Sequence, residues 1–409
     1  MADANSTFYG TTYYGGAHDL GAVFKWTSAN GKEVLHGFRG AVDGAHPGSA
    51  LLLLDGFLYG TTQFGGASNA GTVFKISAAG DFTMLREFPG GGQGEEPIAA
   101  LVAGPDGVLY GTTSRGGTHG MGTIFQITTN GAFTTLFNFA GSNGNSPVAR
   151  LVFGEDGNLY GTTQYGGESD NGTVFKITTG GAFTSMFSFN GVNGSVPESA
   201  LIQAPDGAFF GTTTYGGTHG FGILFKILAN GTFNGFYSMR QGEIGTNPSG
   251  GLILGTDGKL YGSAMHGGVH GFGSIFRTTI NGDVTSQYNF TGDDDGGNPA
   301  TGLWLGSNAA YYGTTGLGGA GHGGTFYKLT VAPRFTTVQL SANGQQVQYS
   351  GDNGAPNGPY TILTSTDLAA PLVDWNFVGT NSFDGAGEFT FSIGVNENLP
   401  KRFYLLITP

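Results

Sequence analysis

The sequence contains no cysteine and few cationic residues, and these absences exclude several kinds of protein. Without cysteine, neither disulfides nor thiolate metal sites can form. Lys and Arg together number 16, against 28 Asp and Glu, and the formal net charge is -12. Nucleic-acid binding needs clustered cations that displace counterions, so no nucleic-acid partner is expected. No apolar run, such as residues 50–54, approaches the roughly 18 residues of a membrane-spanning helix.

Glycine is abundant, at 79 of 409 residues, but the chain does not have the composition of a disordered protein. It contains 33 Phe and 17 Tyr, whereas disordered chains are poor in aromatic residues. An aromatic-Gly strand, a Gly-Gly loop and an aromatic-basic strand recur seven times at intervals of 50 or 51 residues. The repeated anchor residues are Tyr9, Tyr59, Tyr110, Tyr160, Phe210, Tyr261 and Tyr312. Such a period indicates one supersecondary unit copied in tandem.

One repeat, residues 147–189, predicts four short strands in an antiparallel meander. They cover residues 149–153, 159–163, 172–177 and 183–189, with Asp156-Gly157 and Gly180-Gly181 as turn signals. No segment has sustained helical periodicity. A four-stranded unit of about 50 residues is typical of a β-propeller blade. The sequence therefore predicts an all-β protein with a seven-bladed β-propeller over residues 1–333.

The repeat boundaries leave the closure of the predicted ring open. Copy one begins at its second strand, and copy seven is complete only to about Leu329. Alignment of Lys328 with Lys176 makes residues 335–338 a candidate fourth strand of blade seven. The first strand of blade one is missing, lies in upstream sequence, or is supplied by residues such as 345–349.

The residues after Pro333 predict a second domain, because the anchor phrase does not return there. Five alternating segments read as strands, at residues 346–349, 360–363, 375–378, 388–391 and 403–406. The expected structure of residues 334–409 is a small β-sandwich.

Both parts of the chain resemble known families. The repeats, carried by Leu159-Tyr160-Gly161-Thr162-Thr163, Gly166-Gly167 and Gly172-Thr173-Val174-Phe175-Lys176, resemble the GloVer tandem-repeat family of bacterial surface proteins. Ser365-Thr366-Asp367-Leu368 and Arg402-Phe403-Tyr404 look like the C-terminal sandwich of exported verrucomicrobial-type proteins. The resemblance implies an extracellular or cell-surface location but no catalytic residues. Residues 1–5 carry no export signal, and no anchor is visible.

The longest loops of each repeat are expected on one face of the propeller, where function is usually located. The position before each Gly-Gly pair holds Tyr14, Phe64, Arg115, Tyr165, Tyr215, His266 and Leu317. An exposed ring beside a glycine loop can stack on a sugar, and neighbouring polar residues can bind its hydroxyls. Packing between blades explains this position equally well.

Histidines recur after the Gly-Gly pairs, at His18, His119, His219 and His270, with His322 one place later. They can bind sugar hydroxyls, anions or a metal ion. Equivalent residues of different blades lie too far apart to share a metal, so the stronger interpretation is that each His caps its own loop. No metal site is predicted.

Charged clusters give weaker signals. Residues 293–298 superficially resemble a calcium loop but lack the spaced ligands of one, and a solvated loop is the stronger interpretation. Glu95, Glu96 and Glu198 could cleave glycosides if two carboxylates lie about 5–10 Å apart. The arginines of the loops and first strands could instead neutralise a uronate, as a polysaccharide lyase requires; they are Arg115, Arg150 and Arg240.

Three functions follow from these patterns. The favoured one is a lectin-like extracellular protein that binds a polysaccharide through Tyr14, His18, Arg115, His119, Tyr165, Tyr215, His219, His266 and His270. The alternative is a polysaccharide lyase or glycoside hydrolase on the long-loop face. The third is a structural surface module. No cofactor is expected, apart from the weakly supported calcium, and the sequence leaves the oligomeric state open.

Overall fold

A computed structural model describes residues 7–27, 29–242, 244–306, 310–330, 334–342, 345–352, 358–366, 370–384, 387–394 and 403–407. The described chain is almost entirely β-structure, with two short 3-10 helices at Gly91–Gln93 and Leu372–Asp374. None of its helices has the length and apolar character needed to cross a membrane.

The strands up to Leu329 form seven successive antiparallel sheets in the described residues. Sheet 1 contains β1 (Phe8–Thr12), β2 (Ala22–Thr27) and β3 (Gly31–Gly37); sheet 2 contains β4 (Leu52–Leu54), β5 (Phe57–Thr62), β6 (Thr72–Ser77) and β7 (Phe82–Glu87). Sheet 3 contains β8 (Val102–Ala103), β9 (Leu109–Thr113), β10 (Thr123–Ile127) and β11 (Phe133–Asn138); sheet 4 contains β12 (Val152–Phe153), β13 (Leu159–Thr163), β14 (Thr173–Ile177) and β15 (Phe183–Ser188). Sheet 5 contains β16 (Ile202–Gln203), β17 (Phe209–Thr213), β18 (Ile223–Ile227) and β19 (Phe233–Ser238). Sheet 6 contains β20 (Leu252–Leu254), β21 (Leu260–Ala264), β22 (Ser274–Thr278) and β23 (Val284–Asn289); sheet 7 contains β24 (Trp304–Leu305), β25 (Tyr311–Thr314) and β26 (Phe326–Leu329). The predicted repeat of four-stranded sheets is confirmed.

The remaining strands form two three-stranded sheets. They are β27 (Arg334–Leu340), β28 (Gln346–Asp352), β29 (Pro359–Ser365), β30 (Asn376–Ser382), β31 (Phe389–Gly394) and β32 (Phe403–Ile407). β28 lies between β27 and β31, and β29 lies between β30 and β32. The two sheets share one apolar cluster that includes Ile362, Phe389 and Leu406. Of the residues that carry the resemblance of this region, Asp367, Leu368 and Arg402 lie outside the described part.

The turns before the anchor residues differ from the two-residue hairpins that the Asp-Gly pairs suggest. Only Asp55-Gly56 has positive φ at both residues, 49° and 79°. In sheet 3, Gly104 N–H donates to the Val108 carbonyl and Gly107 N–H to the Gly104 carbonyl, which closes a three-residue loop. Gly107 alone has positive φ there, at 75°. A type I turn followed by one left-handed residue requires a single glycine.

A repeated hydrogen bond joins each sheet to the next. A hydroxyl on the second strand donates to a carbonyl just before the first strand of the following sheet. The six donor and acceptor pairs are Thr11 and Ser49, Thr61 and Ala99, Thr112 and Pro147, Thr162 and Ser199, Thr212 and Pro248, and Ser263 and Thr301, at 2.9–3.3 Å. The second strands of sheets 2 to 6 are buried except for Phe57, so water competes little with these bonds.

Sheet 7 meets sheet 1 through aromatic rings. The Phe8 ring lies 5.4 Å from the Trp304 ring, 5.8 Å from that of Tyr312 and 5.9 Å from that of Phe326, all edge to face. Trp26 packs on the other side of Phe8 at 5.5 Å. Two of the three tryptophans of the chain therefore lie where the last sheet contacts the first.

Within the described residues both end sheets have three strands. Sheet 1 shows no first strand there and sheet 7 no fourth, and β27 pairs with β28 instead. The predicted fourth strand at residues 335–338 is therefore wrong, and so is a clasp by residues 345–349, since β28 pairs with β27 and β31.

Proline chemistry explains why β27 does not complete sheet 7. The aligned residue in sheet 4 is Gly181, which has φ 90° and donates its N–H to the Thr178 carbonyl. Position 333, which lies outside the described residues, is a proline; a proline has no N–H to donate and disfavours positive φ, so the sequence is not compatible with the same turn. β27 pairs with β28 in a different sheet.

No fourth strand covers sheet 7 in the part of the chain that the structure describes, and a cavity of about 260 Å³ lies between sheets 6 and 7. Tyr288, Phe290 and Tyr327 line it. In sheet 4 the corresponding space holds Phe183, whose ring stacks on that of Phe137 at 4.0 Å. The cavity therefore lies where a phenylalanine ring is found in sheet 4.

We predict that Tyr327→Phe stabilises the protein. Among the described residues, the buried Tyr327 hydroxyl has no hydrogen-bond partner, and the aligned residue in sheets 2 to 6 is Phe. Removing an unsatisfied buried hydroxyl should raise the free energy of unfolding by about 1 kcal/mol. Denaturant unfolding measures the change. A loss of stability would show that the hydroxyl has a partner in solution.

We also predict that His36 makes stability fall in acid. Burial lowers the pKa of His36 below its usual value, although Asp43 at 3.0 Å opposes the shift. The unfolded chain then binds the proton more readily than the folded protein does. The contribution of His36 to the free energy of unfolding is therefore fully present above about pH 6.5, and it is lost as the pH falls through the pKa of His36 in the folded protein. His36→Phe retains the stacking on Phe82, which His36 makes at 4.0 Å. Melting temperatures from pH 7.5 to 5 should decline less steeply in the variant; parallel curves would contradict the assignment.

Candidate functional site

The long loops of each repeat meet along one edge of the sheets, termed here the loop edge. It consists of the loop between the second and third strands and the segment entering the same sheet from the preceding one. Single β-bridges join the two, pairing Ala45 with Phe64, Glu95 with Arg115, Asn145 with Tyr165, Ser195 with Tyr215, Thr246 with His266 and Gly297 with Leu317. Six of the seven positions before the Gly-Gly pairs thus have a backbone partner in the entering segment.

A buried threonine pair supports each of several loops. In sheet 4, the hydroxyls of Thr163 and Thr173 lie 2.8 Å apart, and Thr163 also donates to the Tyr165 carbonyl. Sheets 2, 3 and 7 repeat this arrangement with Thr62 and Thr72, Thr113 and Thr123, and Thr315 and Thr325. The backbone at the aromatic position is therefore held by the sheet below it.

The predicted tyrosines face solvent on this edge. Tyr14 is 64% exposed, Tyr165 40% and Tyr215 52%. Tyr14 packs edge to face on Tyr13 at 4.8 Å and on His46 at 5.2 Å. Tyr165 and Tyr215 belong to none of the core clusters in the described chain. Their rings are accessible to a ligand.

The predicted histidines are also exposed, but they do not converge. His119 Nδ1 lies 3.0 Å from the hydroxyl of Thr118, and His219 Nδ1 lies 3.1 Å from that of Thr218, each within its own loop. His18, His266 and His270 are exposed as well. Among the described residues, no three His, Asp or Glu side chains are grouped as metal ligands.

The acidic run after β23 is occupied by its own loop. Asp295 accepts hydrogen bonds from the Thr291 N–H and hydroxyl and from the Tyr288 hydroxyl. Burial alone would raise the pKa of Asp295, but these bonds outweigh it and hold the pKa below its usual value. One of the three aspartates of this run is therefore engaged by its own loop.

Pattern analysis missed a polar network around Glu96. The Tyr13 hydroxyl donates to Gln63 Oε1 at 2.8 Å, and Gln63 Nε2 donates to Glu96 Oε2 at 3.0 Å. Arg115 Nε lies 3.4 Å from the other oxygen, Glu96 Oε1. The pair adds little stability, because Arg115 is largely exposed, but it fixes the carboxylate between three sheets.

A second network surrounds Glu198. Gln164 Nε2 donates to Glu198 Oε1 at 2.6 Å, and the Thr214 hydroxyl donates to Glu198 Oε2 at 2.8 Å. Asn247 Nδ2 in turn donates to the Thr214 carbonyl at 3.0 Å. Gln164 and Thr214 immediately precede the exposed Tyr165 and Tyr215. One fixed carboxylate therefore lies beside the loops that carry two exposed rings.

The sequence does carry a signal for these networks, one residue before the aromatic position. That place holds Tyr13, Gln63, Ser114, Gln164, Thr214, Met265 and Gly316, a polar residue in five of seven repeats. The pairing of these residues with Glu96 and Glu198 is not visible in the sequence, because the partners are up to 34 residues apart.

We predict that the first glycine of the Gly-Gly pair tolerates alanine differently in two equivalent loops. Gly15 and Gly166 have φ 87° and 80°, so either Ala variant should lose about 1 kcal/mol to backbone strain. A Cβ at Gly15 meets no atom within 4 Å, whereas one at Gly166 lies 2.5 Å from the Gly141 oxygen. Gly166→Ala should therefore cost a further 1–3 kcal/mol or so in chemical denaturation. Equal losses would mean that the loop in sheet 4 relaxes freely.

Comparison with solved structures supports a propeller-like, all-β fold. A protein provisionally described as a 6-phosphogluconolactonase, from Bacteroides uniformis, is 14% identical, with a TM-score of 0.50 over 94% of this chain and 98% of its own. A puromycin-hydrolyzing peptidase from Mycobacterium tuberculosis is 11% identical, with a TM-score of 0.54 over 86% of this chain and 57% of its own. At these identities the likeness concerns the fold alone. No curated protein matches the sequence.

A family model supplies the closer relationship. The model described as the Gloeobacter/Verrucomicrobia repeat matches residues 1–152 and 77–253. The two matches overlap and together cover more than half of the 409 residues. They include the anchor phrases of sheets 1 to 5, whose strands, turns and threonine pairs are described above. The chain belongs to the Gloeobacter/Verrucomicrobia repeat family.

Proposed function

We propose that this protein is an extracellular carbohydrate-binding protein whose loop edge takes a polysaccharide. The proposed architecture is a seven-bladed propeller over residues 1–333, followed by a small β-sandwich over residues 334–409. The six hydrogen bonds between successive sheets and the rings around Phe8 support a closed ring of seven blades. The extracellular location is proposed from the repeat family.

The observation that carries the proposal is the combination of exposed rings and a fixed carboxylate. Tyr165 and Tyr215 offer ring faces on which the C–H face of a sugar can stack. Each oxygen of Glu198 accepts one bond from the protein and retains a lone pair for a sugar hydroxyl. A stacking ring beside oriented polar groups is the chemistry that a saccharide requires.

The repetition of the loops favours weak binding at several places. Tyr14 repeats the aromatic position in sheet 1, and Arg115 and His266 replace it with polar groups in sheets 3 and 6. A polysaccharide that contacts several such loops gains affinity through effective concentration. His119 and His219 bond within their own loops and are proposed to shape them.

Hydrolysis or elimination of a polysaccharide is a second candidate, favoured by one observation. Glu96 and Glu198 are both carboxylates fixed by hydrogen bonds on the loop edge, and Glu96 is adjacent to the Arg115 cation. Glycoside cleavage uses two carboxylates, one as acid and one as base or nucleophile. Product analysis separates this candidate from binding alone.

We predict that Tyr165→Ala/Tyr215→Ala reduces glycan affinity about tenfold or more, since two stacking contacts are removed. The wild type is first tested on a glycan array of plant and algal polysaccharides, and the same sample is assayed for new reducing ends and unsaturated products. The matched control, His119→Ala/His219→Ala, alters the loops of sheets 3 and 5 but retains every tyrosine.

The binding function is supported if the wild type binds related glycans without releasing products and if only the tyrosine variant loses this binding. Product release would establish the enzyme instead. If the wild type neither binds a glycan nor releases products, the result favours a structural module. Equal losses in the two double variants would remove the tyrosine platform.

A further inference from the structure

The segments that lead into the first strands carry a set of equivalent residues. In each such segment a leucine is buried, such as Leu151 at 1% exposure and Leu201 at 2%. Ala149 and Leu151 are buried whereas Arg150 between them is exposed, so the residue before the leucine points away from the packed interface, which in the proposed ring is the side of the axis. These residues are Ala50, Ala100, Arg150, Ala200, Gly251 and Gly302. Five are small, and one is a cation.

Arg150 has no partner of opposite charge among the described residues. The ion pairs of the described chain involve other cations, and no hydrogen bond reaches the Arg150 guanidinium. Alanine and glycine at the equivalent positions offer no acceptor side chain. Arg115, which the sequence groups with Arg150, is paired with Glu96 instead. The structure thus distinguishes two arginines that the sequence does not.

The environment of Arg150 favours a bound anion. Solvent reaches the side chain, but surrounding protein atoms displace part of its hydration, and this burial lowers the pKa of the guanidinium. Arginine nevertheless remains protonated at neutral pH. A partly dehydrated and unpaired cation gains from an incoming anion more than a fully hydrated one does.

Glu198 lies in the segment that enters sheet 5, three residues before the buried Leu201 and two before Ala200, which is equivalent to Arg150. Its oxygens are bound by Gln164 and Thr214. The entering segments thus carry both the Glu198 network of the loop edge and the residues of the proposed inner wall.

We propose that Arg150 binds the carboxylate of a uronic acid residue at the inner wall of the ring, which makes acidic polysaccharides the preferred ligands. This inference rests on the proposed glycan-binding function and on the seven-bladed ring. The planar guanidinium fork donates two parallel hydrogen bonds to a carboxylate. The small residues of the neighbouring strands leave room for the sugar ring that bears it.

The test uses Arg150→Ala, which introduces the residue that sheets 2, 3 and 5 already have and should not disturb the fold. Affinities for oligogalacturonate and for a neutral galactan oligomer of equal length are measured by calorimetry at fixed ionic strength. Wild type should prefer oligogalacturonate at least tenfold, and Arg150→Ala should abolish that preference. Arg150→Lys retains the charge but loses the planar guanidinium fork. Its preference for oligogalacturonate should lie between that of wild type and that of Arg150→Ala. Arg39→Ala, which removes an exposed arginine of another segment, is the matched control and should match wild type.

Several results would overturn the inference. These are no preference for oligogalacturonate in wild type, an unchanged preference in Arg150→Ala, or the same loss in Arg39→Ala. Equal competition by acetate or sulfate would reduce the site to a general anion site and would also count against it.

The two proposals fail in distinguishable ways. Neutral oligomer binding that depends on Tyr165 and Tyr215, with no effect of Arg150, leaves the loop-edge function intact and removes the uronate site. Oligogalacturonate binding that depends on Arg150 and is unaffected by Tyr165→Ala/Tyr215→Ala removes the tyrosine platform and retains the uronate site.

Discussion

The hydrogen bond from a second-strand hydroxyl to the next sheet is the interaction on which the rest of the structure depends. It recurs six times, from Thr11 and Ser49 in the first pair of sheets to Ser263 and Thr301 in the last. Because the donors of sheets 2 to 6 lie in buried strands, an unmade bond there would leave a dehydrated polar group. The bond therefore sets how each sheet meets its neighbour.

The contact between sheets 7 and 1 is made differently, because the described part of sheet 1 has no first strand to accept a bond. Thr314, the residue equivalent to the donors, pairs with Thr301 of its own sheet. Large rings take over the contact, with Phe8 edge to face against Trp304 and Tyr312. Aromatic area substitutes here for a directional bond. The same break in the repeat leaves the cavity beside Tyr327 at the other side of sheet 7.

The loop edge combines a uniform support with variable side chains. Threonine pairs and single β-bridges hold the backbone in nearly the same way from sheet to sheet, as at Thr163 and Thr173. The two residues above this support change from repeat to repeat. One faces solvent, as Tyr165 does, and the preceding one, such as Gln164, orients a carboxylate. A repeat protein can thus vary its recognition surface without altering the sheets below.

By itself, the sequence determined the all-β character, the number of repeats and most strand positions. These follow from local patterns: anchor residues every 50 or 51 positions, alternation within strands, and glycines at turns. A proline in place of the turn glycine also makes a fourth strand of sheet 7 unfavourable from the sequence alone. Only the tertiary structure decided that Gln164 and Thr214 meet at Glu198, that Glu96 pairs with Arg115, and that Arg150 has no such partner among the described residues. Those outcomes depend on contacts between residues of different sheets, far apart in the chain, for which no local pattern exists.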